Sequence, residues 1–397
     1  MLKFYTAFTQ EIDDADAAVE ELLEQLRPAE NMRKNTIGVV HFYHEFTEED
    51  VWKTISDALP FELIGCVSSY TGSCGMYNDI AMSVAMITSD DVNFSVKTIE
   101  GIAAKSSEQV EEEIKKVCAD FCASEKPKMI IPIIPPMPHF SGDDLISTIN
   151  ALPEFIPFFG TVAFSMENSA PNFVLGGGKI SEDMHAYLAF YGETDPKFHV
   201  TTSFDFDEDY GVASKITDAE KAVLKTVDGI PAVEYLKKIG MVTDEKAITD
   251  SSVWAVPAIL TYPDKTKVVR AFLGIVEGTD DIFATGAMKA GANIKFAYLD
   301  GNKTLASAEK LIKGLSDNNE NDILAYSCAA RAWSLGAKFY AEAEKVAKCA
   351  DDYEQKNGVP LKYSIAYSGG EICPLKNADG KLINTLHNYT LITCSFN

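Results

Sequence analysis

Two residues near the C-terminus have side chains suited to holding a small ligand. Arg331 stands in "YSCAARAWSLG" and Glu371 in "YSGGEICP". Arginine offers five N–H donors in a planar fork that matches a carboxylate. A glutamate accepts hydrogen bonds from an ammonium group. Side by side they would grip an amino-acid-like ligand by its two ends, with Arg331 on the carboxylate and Glu371 on an amine or hydroxyl. The plainer alternative is that the two pair with each other or cap a helix. The same segments carry Ser327, Cys328, Tyr367, Ser368, Gly369 and Gly370, and "LHNYT" adds His387, Asn388 and Thr390. Cys328, His387 and Glu371 have the residue types of a nucleophile, a base and an orienting acid. They keep a cysteine-dependent hydrolase or transferase open. No G-x-S-x-G, H-E-x-x-H or P-loop pattern occurs, and "GGGK" at Gly176–Lys179 lacks P-loop spacing and reads as a turn. Binding is therefore favoured over catalysis.

A second polar loop follows an apolar run in "IGCVSSYTGSCG", Ile64–Gly75, and offers Gly65, Cys66, Ser68 and Ser69. Eight cysteines occur, none in a C-x-x-C pair, so in a chain with no secretory leader they are expected to be reduced. Cys118 and Cys122 are four apart. They lie beside the helical stripe Val110, Ile114, Val117 and Phe121, which favours core over a thiolate metal site. Asp205, Asp207 and Asp209 resemble the start of a calcium loop. That loop needs Gly at its sixth position and Glu at its twelfth, where this chain has Tyr210 and Ile216. A solvated linker is expected there. His44 and His139 occupy equivalent loops and read as surface residues, with a metal or haem ligand as the minor alternative.

The elements that would position these residues recur along the chain. From Thr36 to Met86, "TIGVVHF" precedes "HEFTEEDVWKTISDALP", then "FELIGC", a Gly/Ser-rich loop and "DIAMSVAMI". From Lys128 to Phe190, "KMIIPII" precedes "PHFSGDDLISTINALP", then "EFIPFFGT", a Gly-rich loop and "EDMHAYLAF". Thr47 and Ser141 are expected helix caps, with Asp50 and Asp144 at the reciprocal position. Gly65 recurs as Gly160, which suggests a backbone turn with positive φ. Cys66 is matched by Thr161 and by the region of Ser368. A third copy holds "DILAYSC", one long helix from Arg331 to Gly358, "VPLKYSIAYSGGEICP" and "LHNYTLITCSF". Strand–helix–strand–strand units imply an α/β fold of layered mixed sheets flanked by helices, with two sheets packed face to face as one form. The polar stretch from Tyr191 onward suggests a boundary near residue 210. Two copies then lie in 1–210, and the third lies in 211–397 with a strand-rich insert. Ligands of such folds gather at strand C-terminal ends.

The totals exclude several classes. Of 397 residues 46% are hydrophobic and 24% charged, enough for large cores. Lys and Arg number 35 against 59 Asp and Glu, a net charge of −24, which repels nucleic acid and anionic lipid. No apolar run spans a bilayer and no signal peptide opens the chain. A cytoplasmic protein without nucleic-acid or membrane partners is expected.

"FELIGCVSSYTG" and "DIAMSVAMI" resemble the N-terminal part of FIST domains. "YSCAARAWSLG", "YSGGEICP" and "LHNYT" resemble the C-terminal part, with its Ser/Cys-x-x-Arg, Gly-Glu-Ile and His-Asn-x-Thr pattern. "DGIPAVEYLKKIG" resembles the segment between the halves. The likeness runs from about Thr36 to Phe396. The first-copy loop departs from it, with Val67-Ser68-Ser69 where Ser-Thr-x-Gly is more usual. The resemblance implies an intracellular signal-transduction sensor for a small ligand such as an amino acid, with no cofactor expected. Haem binding with a nitric oxide response, reported for some members, is the alternative. No output segment follows the last strand, so a separate signalling partner is implied.

Overall fold

The computed structural model describes residues 2–137, 139–167, 170–206, 208, 210–211, 213–242, 256–377 and 379–396. Pro138, Asp207 and Asp209, which fall within segments assigned above, lie outside the described residues.

Three segments each build the same sheet. Unit one runs through strand Lys3–Thr9, helix Ala15–Leu26, strand Asn35–Phe42, helix Glu49–Ala58, strand Glu62–Val67, the short hairpin Thr71–Ser73/Met76–Asn78, and strand Met82–Ser89. Unit two repeats this order with Val92–Glu100, Ser107–Phe121, Met129–Ile134, Gly142–Asn150, Gly160–Val162, Val174–Gly176/Lys179–Ser181 and Met184–Gly192. Unit three has Lys197–Thr202, Gly301–Asp317, Asp322–Cys328, Ala341–Asn357, Lys362–Ser368, Gly370–Lys376/Leu382–His387 and Thr390–Ser395. In each unit the first central strand runs parallel to the second and antiparallel to the last. Val40 lies opposite Gly65 and Val84, and Ala325 opposite Ile365 and Thr393.

The hairpins leave their own sheets. Unit one's hairpin extends the sheet of unit three, with Gly72 opposite Ile365. Unit two's extends unit one's, with Leu175 opposite Gly65, and unit three's extends unit two's, with Ile372 opposite Gly160. Three equivalent backbone bonds close the cycle. Ser69 N–H donates to Tyr367 O (3.1 Å), Phe164 N–H to Val67 O (3.3 Å) and Gly369 N–H to Val162 O (3.0 Å). The inner faces of all three sheets meet in one core that takes Val39 and Cys66, Ile131 and Ile133, and Leu324 and Tyr326. Helices cover the outer faces, as on the stripe Val110, Ile114, Cys118 and Phe121. The layered α/β class holds, and three sheets around a common core replace the expected face-to-face pair.

Several local expectations change. Gly65 and Gly160 do not take positive φ. A Cβ on Gly65 would lie 1.8 Å from Val40 O, and one on Gly160 2.0 Å from Pro132 O. Close approach of the parallel neighbour requires the glycines. Ser141 forms the capping box with Asp144, its Oγ accepting from Asp144 N–H (3.3 Å). Thr47 does not cap; its hydroxyl donates to His44 O (2.6 Å) in a 3-10 turn before the helix. The long helix expected after Arg331 breaks into Ala329–Trp333, a 3-10 turn Gly336–Lys338 and Ala341–Asn357, with Gly336 at φ +57°. By the register of the donated hairpins, Cys66 corresponds to Thr161 and Ala366, not to Ser368.

A barrel interrupts unit three. Strands Ser214–Glu220, Val223–Val227, Pro257–Thr261, Lys267–Ile275, Ile282–Ala284 and Asn293–Phe296 form it, and the first closes onto the second. Its own core holds Leu224, Leu236, Leu260 and Phe272. Strand Lys197–Thr202 lies within the polar stretch and pairs with Thr390–Ser395. An edge strand tolerates such polarity because one side stays solvated.

Candidate functional site

The parallel strands of units two and three end at the face where the barrel docks. Arg270 from the barrel fixes that docking. Its buried guanidinium donates to both oxygens of Asp143 (3.0 and 3.2 Å) in helix Gly142–Asn150, and to Leu386 O (3.1 Å). Ala287 N–H donates to Asp143 Oδ2 (2.6 Å), and the Thr285 hydroxyl donates to Asn388 Oδ1 (2.9 Å).

Beside this anchor lies a cavity of about 450 Å³. Unit two contributes Pro135, Pro136, Met137, Ser141, Asp144, Phe164 and Asn172. Unit three contributes Cys328, Ala329, Ala330, Trp333, Ser368 and Gly369, and the barrel adds Glu220, Lys221, Ala222, Val223, Leu273, Phe283 and Thr285. The walls are largely apolar with a few polar groups, the usual make-up of a small-molecule site. Phe164 and Trp333 meet edge-on, with ring centroids 6.2 Å apart.

Of the residues singled out from sequence, Cys328, Ser368 and Gly369 line the cavity. Glu371 and Thr390 lie one layer behind. The Ser368 hydroxyl donates to Glu371 Oε1 (3.0 Å) and the Thr390 hydroxyl to Oε2 (2.7 Å). Burial still dominates and pushes the Glu371 carboxyl up to about 8. Asn388 braces the wall, its Nδ2 donating to Gly369 O (3.4 Å).

The others are used elsewhere. Arg331 is buried and pairs with Glu342, not Glu371. Its Nε donates to Glu342 Oε1 (2.9 Å), and its two end nitrogens donate to Tyr389 O (3.3 Å), Thr304 O (3.1 Å) and Ser307 Oγ (2.9 Å). A guanidinium so engaged does not reach the cavity. The Ser327 hydroxyl donates to Glu342 Oε2 (2.8 Å). Ser68 and Ser69 donate to Tyr367 O (3.0 and 3.1 Å), and Tyr367 stacks on Tyr70 at 3.8 Å, so these three seal unit one to unit three. Gly65 and Cys66 sit in the sheet and the central core.

The nucleophile arrangement does not assemble. The His387 ring lies 3.1 Å from Cys373 O, and burial lowers its pKa to about 4. Burial and then the Glu371 charge raise the Cys328 thiol well above its ordinary value. A thiolate needs the opposite surroundings. None of the six histidines lines the cavity, so no histidine there could hold a haem iron. His139 lies 3.1 Å from Ile102 O, and His44 faces Glu167.

Sequence reasoning missed the unit two and barrel walls. Pro135 stands where Cys328 stands in unit three, so the repeat carried a signal for it. Nothing local marks Leu273 or Thr285, which reach the site only because the barrel docks there.

The fold is thus a layered α/β body with a ligand-sized cavity at its strand ends. The FIST N domain matches residues 36–230 and the FIST C domain residues 232–374, and the chain belongs to the FIST family of signal-transduction sensor domains. No curated protein matches it. Solved structures with some likeness include PurLQS from Thermotoga maritima, at 10% identity and a TM-score of 0.22. Phosphoribosylformylglycinamidine synthase II from the same organism stands at 6% and 0.21. Each match covers 100% of this chain and 72% of the other. Among the described residues no helix is long and apolar enough to cross a membrane, and no group of three His, Cys, Asp or Glu is placed to hold a metal ion.

Proposed function

We propose that this chain is a cytoplasmic sensor. It holds a small metabolite in the cavity between barrel and body and signals through a separate output protein. The observation that carries this reading is the cavity itself: about 450 Å³, largely apolar, with Ser141, Asp144, Thr285 and Ser368 on its walls. A small metabolite with an apolar body and one polar end, of about the size of a large amino acid, has the size and mixed polarity for it, held by the cavity walls rather than by Arg331. Because two walls belong to the body and one to the barrel, a ligand there bridges them, and binding stabilises their contact.

Thermal unfolding against a panel of amino acids and related metabolites tests the reading. A ligand at 100 times its Kd stabilises by about 2.7 kcal/mol, a shift of a few degrees for a chain of this size. Leu273→Trp fills the cavity from a half-buried barrel position and should abolish the shift. A shift that survives Leu273→Trp puts the ligand elsewhere.

A further inference from the structure

We propose that the ligand is an organic amine, bound as its cation on an apolar or aromatic body, rather than a zwitterionic amino acid or a carboxylic acid. This rests on the preceding reading that the cavity holds the ligand, and it names the ligand's chemistry from the charges around that cavity.

Both guanidiniums within one layer of the wall have acids of their own. Arg270 is held by Asp143 at 3.0 Å and Arg331 by Glu342. Lys221 is the one cation among the described lining residues, and its ammonium is anchored on Ser107 Oγ (3.3 Å) and His139 O (3.1 Å). No other side chain of the described lining carries positive charge to pair with a carboxylate. Burying an ionised carboxylate without a paired cation is costly.

Acids stand on the other side of the balance. Glu220 is paired with Lys225 at 2.7 Å. Asp144 has no ion pair among the described residues. Its Oδ2 accepts both capping bonds, from the Ser141 amide and hydroxyl (2.8 Å each). Its Oδ1 accepts none there. Glu371 also lacks an ion pair among the described residues and lies one hydrogen bond behind Ser368. An ammonium group beside Asp144 meets a carboxylate with one oxygen unused by the cap. The rings of Phe164, Trp333 and Phe283 supply apolar walls, and their faces attract a cation. The overall charge of −24 draws cations toward the molecule.

Isothermal titration calorimetry on the full chain with matched probes tests this. Each set shares one body and changes only the polar end. The first set is 2-phenylethylamine, phenylalanine, 3-phenylpropionate and 2-phenylethanol. The second and third replace phenyl by indole and by a branched alkyl group. Within at least one set the amine should bind tenfold or more tighter than the alcohol, with the amino acid weaker than the amine and the acid weakest. Leu273→Trp should remove binding. Asp144→Asn, which keeps the capping acceptor, should cut amine affinity tenfold while leaving the alcohol unchanged. An amino acid or acid that binds as tightly as its amine, and is lost with Leu273→Trp, overturns the amine class and leaves the cavity reading standing. Amine binding unaffected by Leu273→Trp sinks both. If no amine of the three sets binds, the proposal falls, and the metabolite panel decides the cavity separately.

Discussion

Arg331 Nε donates to Glu342 Oε1 at 2.9 Å, with both side chains fully buried. A guanidinium that looks from sequence like a ligand grip is thus a structural tie between strand end and helix Ala341–Asn357. Removing one partner leaves the other charge buried and unpaired, which costs about 3–5 kcal/mol. Arg331→Met and Glu342→Gln should each lower urea stability by that amount. The double variant should lose less than the sum. Additive losses would mean that the pair is not coupled.

Glu371 should give the protein a stability that falls as pH rises. Its folded pKa, near 8, lies above its ordinary 4.5, so the folded state holds the proton more tightly. The stabilisation is full below about 4.5 and is lost as pH climbs through 8, at about 1.4 kcal/mol per pH unit between them. His387 has the opposite sign: its lowered pKa of about 4 makes stability fall as pH drops below 6.5. Urea midpoints of wild type and Glu371→Gln from pH 5.5 to 8.5 isolate the first effect. The wild-type advantage should shrink steadily with pH, and a constant gap would refute it.

Gly65→Ala and Gly160→Ala should be among the most damaging small substitutions. Each new methyl would meet a backbone carbonyl at 1.8–2.0 Å, forcing parallel strands apart. Overpacking costs about 1–3 kcal/mol and more where backbone must move. Gly314, inside a helix with nothing within 4 Å of an added Cβ, is the control. Gly314→Ala should gain about 0.5–1 kcal/mol. Thermal unfolding of the three variants checks the ordering.

Cys328 should be slow to alkylate although it lines the cavity. It is 3% exposed and its thiol is held well above the ordinary value by burial beside Glu371. Cys74 and Cys122 are exposed. Mass spectrometry during iodoacetamide treatment at pH 7.5 should find those two modified first. Early modification of Cys328 would reopen the nucleophile reading.

What the sequence determined by itself is the repeated unit. Apolar runs such as Ile37–Phe42 and Met129–Ile134 are buried strands whatever surrounds them, and Ser141 with Asp144 caps a helix through contacts three residues apart. Gly65 was legible as special, though for close approach and not for turning. The resemblance carried by Arg331, Glu371 and His387 was also legible, but their roles were not. Only the tertiary structure decided that Arg331 faces Glu342, that Ser68 and Ser69 seal a seam, and that the cavity takes walls from Asp144, Leu273 and Thr285. The physical reason is range. Periodicity and capping report contacts within a few residues, whereas the hairpin exchange joins Ser69 to Tyr367 and barrel docking joins Arg270 to Asp143. Pairings that distant are set by how whole sheets pack, and no local pattern records them.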